Sequence, residues 1–120
     1  MESLGLHENV LIRPQHGRKW KRFKAKIDTG AKWSRIGVEE AVKLRLGPII
    51  NARTIRTGTG SERRIVVPAS VKIGKYRVAV QFTISTRRSG VLIGRRTIGK
   101  RFRIIPSKSY VCKPANSGRA

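Results

Sequence analysis

Asp28 is the only aspartate in a chain of 120 residues, and it stands in the run Lys26-Ile27-Asp28-Thr29-Gly30-Ala31. Before it, Phe23, Ala25 and Ile27 alternate with Lys24 and Lys26. That period of two predicts a strand with one apolar face. Asp28 ends the strand, and Thr29-Gly30 forces a turn. A short carboxylate at a strand end, beside a glycine that lets another backbone approach, is placed to do chemistry.

The other chemistry-bearing set is the bases. Lys and Arg number 28 against six acids, a formal charge of +22. Repulsion at that charge opposes folding unless a polyanion neutralises it. Nucleic acid is the natural candidate, because each base that meets a phosphate releases counterions. A heat-adapted surface would pair positive with negative charge, and six acids cannot pair 28 bases. The bases cluster at Arg18, Lys19, Lys21, Arg22 and Lys24, then at Arg63-Arg64 and Arg87-Arg88. A last group holds Arg95, Arg96, Lys100, Arg101 and Arg103. Their spread round the chain suits a protein embedded in folded RNA better than one with a single DNA-reading face. Trp20 and Trp33 could stack on bases, although ordinary packing is the better reading for Trp33. No helix-turn-helix, zinc-finger or RRM pattern is visible. The single Cys112 forms no internal disulfide and suits a reducing interior. The absence of an apolar leader or span adds to an expectation of a cytoplasmic, ribosome-associated protein with no membrane partner.

The length suits one domain with one modest core. Residues 1–8 are expected as a loose arm, 9–106 as the domain, and 107–120 as a basic tail outside the core. Strands are expected over 9–13, 20–27, 49–57, 63–67, 69–73, 76–84 and 101–105, with Pro68 breaking the middle of the series. Gly74-Lys75 reads as a two-residue hairpin turn, and Val91-Leu92-Ile93 as a buried run. A short helix over 37–46 would put Val38, Ala41, Val42 and Arg45 on one face. Glu39 and Glu40 in its first turn and Lys43 and Arg45 in its last match the helix dipole. The sum is a mostly β domain, a small barrel or sandwich with one or two short helices.

Two segments taken together carry a resemblance: Ala25-Lys26-Ile27-Asp28-Thr29-Gly30-Ala31 and Val91-Leu92-Ile93-Gly94-Arg95-Arg96. The pair resembles the retropepsins, single-domain aspartic proteases in which an Asp-Thr-Gly-Ala turn is backed by an apolar-apolar-Gly-Arg segment. Leu92 to Arg96, then Arg101-Phe102-Arg103 and Pro106 to Tyr110, look closer to the retropepsin-like group often named ATP-dependent zinc proteases. The likeness spans roughly residues 9 to 111.

The resemblance implies a small closed barrel of retropepsin type, working as a homodimer that brings two Asp28 carboxylates together. Such a pair shares one proton, so one serves as base on a water while the other acts as acid on the peptide carbonyl. Thr29 would bond across the dimer, Gly30 would admit the close approach, and Gly58-Thr59-Gly60 would be the tip of a flap over substrate. The chain also departs from the pattern. His7, His16 and Cys112 are too few and too scattered for zinc, and no phosphate loop for ATP is present. No cofactor and no metal are therefore expected. The 85–90 loop is basic, and Ile104-Ile105 stands where a Val-Asp pair would be usual. The reading favoured by charge is an RNA-binding, ribosomal protein built on this fold, touching rRNA phosphates and neighbouring ribosomal proteins. The alternative is a homodimeric aspartic endopeptidase.

Overall fold

The computed structural model describes residues 2–112, with nine strands and two short helices among them. Six strands close a barrel in the order β2 (His7–Pro14), β3 (Lys21–Ile27), β8 (Val91–Ile93), β4 (Ser34–Gly37), β7 (Tyr76–Ser85) and β6 (Gly60–Ile73). Pairing of β6 back onto β2, from Leu11↔Lys72 to Pro14↔Ala69, closes the ring. The remaining elements are β1 (Glu2–Leu4), α1 (Val38–Leu44), β5 (Asn51–Thr57), α2 (Arg95–Ile98) and β9 (Phe102–Ile104).

The core follows from the alternations. On β7, Val78, Val80 and Phe82 point inward and are buried, while Arg77, Ala79 and Gln81 face out. All three residues of β8 are buried, because this strand is paired on both sides, parallel to β3 and antiparallel to β4. Gly74-Lys75 makes the expected tight turn, with Ile73 opposite Tyr76 and Gly74 at φ 57°. Tyr76 meets Phe102 edge-on at 5.3 Å and joins β7 to β9.

Several local expectations are corrected. Pro68 does not break a strand: β6 runs unbroken for 14 residues, with Pro68 opposite Gln81 of β7. On its other side β6 leaves β5 at Val66 and takes up β2 at Ala69. Pro68 therefore falls in the gap between two partners, where a missing N–H costs least. Within the expected arm, residues 2–8 are not loose. Glu2 to Leu4 pairs in parallel with Phe102 to Ile104, and β2 already begins at His7. The start of the tail is also held. Tyr110 N donates to His7 O at 2.7 Å, and Leu6 N donates to Lys108 O at 2.7 Å. Lys113 and Arg119 of the expected basic tail lie outside the described residues.

The helix face is corrected too. α1 buries Ala41 and Leu44, while Val38 and Val42 stand 41% and 69% exposed. An i, i+3 pair is enough for so short a helix to dock, and Arg45 ends it in the left-handed region at φ 54°.

Candidate functional site

Asp28 is fixed from behind. β3 lies parallel to β8, so Asp28 N donates to Ile93 O at 2.9 Å as the strand ends. The Asp28 Oδ1 then accepts Gly30 N at 2.8 Å, closing the turn on its own side chain. A Cβ on Gly30 would stand 3.0 Å from that oxygen, so a larger residue there would press on the carboxylate.

The chain after β8 buttresses the turn. Arg95 N and Arg96 N at the head of α2 donate to Ala31 O and Lys32 O at 2.7 and 3.1 Å. The Arg95 guanidinium reaches Thr29 O at 2.8 Å. Gly94 N donates to Ser34 Oγ at 3.1 Å, and that hydroxyl also bonds Thr97 Oγ1 at 2.6 Å. Gly94 itself must be glycine: a Cβ would sit 2.5 Å from Trp33 O, a backbone atom that cannot step aside. The two segments paired by sequence are thus one hydrogen-bonded unit. Asp28 is half-buried, whereas Thr29 and Gly30 are exposed.

In front of Asp28 opens a cleft of about 810 Å³. Its roof is the β5–β6 hairpin, in which Thr57 pairs with Gly60 across a tip of Gly58-Thr59. Residues 54–59 line the cleft together with Asp28, Gly30 and Ala31. The hairpin tip and the Asp28 turn therefore line one cleft.

The cleft is strongly basic. Lys32, Arg35, Arg56 and Arg64 line it, with Arg87, Arg88 and Arg95, against the acids Asp28 and Glu62 alone. Glu62 is already tied to Arg64 at 2.9 Å, and that hydrogen bond holds its carboxyl below the usual range. Burial, then the Arg64 and Arg88 charges, push the Arg35 guanidinium below its ordinary value, while Asp28 and Glu62 pull the other way. Trp33 forms part of the wall, with the Arg53 and Arg96 guanidiniums 4.0 and 4.6 Å from its ring centre.

The expected RNA-contacting bases divide. Arg64, Arg87, Arg88 and Arg95 come together in the cleft. Arg18, Lys19, Lys21, Arg22 and Lys24 lie exposed on and before β3. Arg63, Arg96, Lys100, Arg101 and Arg103 are exposed elsewhere. Trp20 carries Lys72 and Arg13 at 4.5 and 4.6 Å, so its ring is engaged by cations. Sequence reasoning missed Lys32, Arg35 and Arg56, which carry no motif of their own.

It also missed what the acids do. Only the Glu62–Arg64 ion pair forms among the described residues. Glu8, 1% exposed, accepts backbone N–H groups from Gly5, Val111 and Cys112 at 2.7, 2.8 and 3.1 Å. Glu40 holds Gly90 N at 2.8 Å, and Glu2 holds Lys75 N at 3.3 Å. Four of the six acids, Glu2, Glu8, Asp28 and Glu40, are thus spent on backbone N–H groups, which leaves most of the bases uncompensated. Among the described residues no three His, Cys, Asp or Glu side chains gather as a metal site would need. No helix among them is long and apolar enough to cross a membrane.

No protein-family model matches the chain, and no curated protein matches it by sequence. Solved structures do. The Legionella pneumophila protein Lpg0085, of unknown function (DUF785), superposes with a TM-score of 0.64 at 19% identity, over 93% of this chain and 98% of that one. The EIAV protease, solved with an inhibitor, gives 0.65 at 17% identity over 77% and 83%. The simian foamy virus protease gives 0.54 at 15% over 76% and 91%. The fold is retropepsin-like: a closed six-stranded barrel with two short helices.

Proposed function

We propose that the chain is a homodimeric aspartic endopeptidase whose basic cleft takes an extended acidic peptide. The observation that carries this reading is the position of Asp28: braced by β8 and α2, beneath a flap, at the floor of a cleft lined by seven bases. A protein that kept the barrel only as a platform has no need of a half-buried carboxylate facing a cleft that the hairpin tip also lines. Within the retropepsin-like proteins, the segments at 92–96 and 101–110 favour the group named ATP-dependent zinc proteases.

One Asp28 per chain makes two copies necessary. Held close, the two carboxylates share a proton. The ionised one takes a proton from water as its oxygen attacks the peptide carbonyl carbon, while the protonated one donates to the carbonyl oxygen. Collapse of the tetrahedral adduct breaks the C–N bond as the leaving nitrogen is protonated. The flap excludes water and holds the chain extended. Arg35, Arg64 and Arg88, crowded with too few anions, would each gain from a substrate carboxylate. The test is cleavage of an acidic peptide by a preparation shown to be dimeric, and its loss on Asp28→Asn. A dimer that leaves every acidic peptide intact refutes the proposal.

A second reading is supported by the ten expected RNA-contacting bases outside the cleft, all of them exposed. On that reading the chain lies against rRNA and neighbouring ribosomal proteins in the cytoplasm, neutralising phosphates without reading sequence. Co-sedimentation with ribosomal subunits, weakening steeply as salt rises, would favour it. A protein locked as a monomer in RNA has half an active site, so the two readings part at the oligomeric state.

A further inference from the structure

Behind the flap stem lies a second concavity, of about 540 Å³, that the reaction does not use. Its floor is apolar. Val38 and Val42 of α1 face Ile65 of β6 and Ile49 of the connecting loop. These four are 41%, 69%, 39% and 61% exposed, an unusual concentration of bare apolar surface in so charged a chain. Its rim is basic: Arg45, Arg63 and Arg87 line it and are exposed. Glu62, its one acid, is already bonded to Arg64. Glu62, Arg64 and Arg87 line both this groove and the catalytic cleft, so the two are continuous across those side chains.

We infer that the groove is an exosite for the substrate chain itself, taking apolar side chains from an acidic peptide that runs on from the cleft past Arg64 and Arg87. This rests on the peptidase reading for its direction. The occupant follows from charge and shape. The arginine rim suits carboxylates and repels a second copy of this chain, while the floor suits branched apolar side chains. A peptide of acids alone would leave that floor bare.

The experiment uses the full chain carrying Asp28→Asn, so that binding is read without cleavage. Two labelled peptides of equal length serve as probes: one of glutamates only, and one in which a pair of neighbouring glutamates is replaced by leucines. Anisotropy should show the leucine peptide binding about tenfold tighter, equivalent to about 1.4 kcal/mol. Val42→Gln, a neutral change at an exposed position, should erase that preference and leave the all-glutamate affinity within about twofold. Ile49→Gln should do the same from the opposite wall. Equal affinity for the two peptides, or a preference that survives both substitutions, overturns the exosite. So does a change in sedimentation of the unliganded protein on Val42→Gln, which would make a second copy the occupant. Loss of the peptidase reading looks different: the preference remains, while the parent Asp28 protein cleaves neither peptide.

Discussion

Glu8 offers the sharpest quantitative test of how this chain holds its site. Its carboxylate is 1% exposed and accepts three backbone N–H groups, from Gly5, Val111 and Cys112. Two of those donors lie more than a hundred residues further along the chain, so one side chain pins both ends of the described chain. The pinned Gly5-Leu6 segment in turn touches the site: Leu6 O accepts Ile27 N at 2.8 Å, one residue before Asp28. Glu8→Ala leaves three donors without their acceptor. At about 1–1.5 kcal/mol for each orphaned buried donor, less the regained solvation of a removed charge, the loss comes to about 3 kcal/mol. Glu8→Gln keeps one acceptor oxygen and adds an unmatched NH₂, so it should cost roughly half to two-thirds as much. Urea unfolding followed by tryptophan fluorescence measures both, and the alanine variant should melt roughly 10 °C lower. Hydrogen exchange should show faster exchange at Val111 and Cys112 first. A loss below about 1 kcal/mol for Glu8→Ala, or an equal loss for both variants, would refute the clamp.

Other consequences follow from the same geometry. Gly94→Ala should destabilise the fold by about 2 kcal/mol or more and slow any cleavage further, because the added Cβ meets Trp33 O at 2.5 Å; thermal melting beside an activity assay checks it. Binding of a short polyanion to the seven-base cleft should fall with salt at a log–log slope of up to about −5 for single-stranded nucleic acid, and a salt titration that stays flat would disprove the electrostatic account. Asp28→Asn should lower peptidase activity by about a thousandfold or more without changing the melting temperature by more than about 3 °C. Cys112 has its thiol pushed up to about 12, first by burial and then by the Glu8 charge. The thiolate is the disfavoured form, so alkylation near pH 8 should run about a hundredfold or more slower than for a free thiol, speed up only as pH climbs toward 12, and be readable by mass spectrometry.

Local pattern alone determined the strand into Asp28, the Thr29-Gly30 turn, the buried Val91 to Ile93 run, the Gly74-Lys75 hairpin and the alternation of β7. In each, a period of two or a turn residue states the backbone's requirement within a few positions. The charge imbalance was equally plain, because it is a sum over residues. What tertiary structure decided is whatever depends on which strands become neighbours. Pro68 reads as a break until β6 is seen to exchange β5 for β2 beside it. Val38 and Val42 read as core until Ala41 and Leu44 are the ones that dock. Residues 2–4 and 107–112 read as loose because their partners come from the other end of the chain: Phe102 to Ile104 for the first, and Leu6, His7 and the buried Glu8 for the second. Lys32, Arg35 and Arg56 become a cleft wall only once the flap folds over the turn. A short sequence window records what one residue asks of its own backbone; it cannot record a side chain whose partner arrives from the far end of the chain.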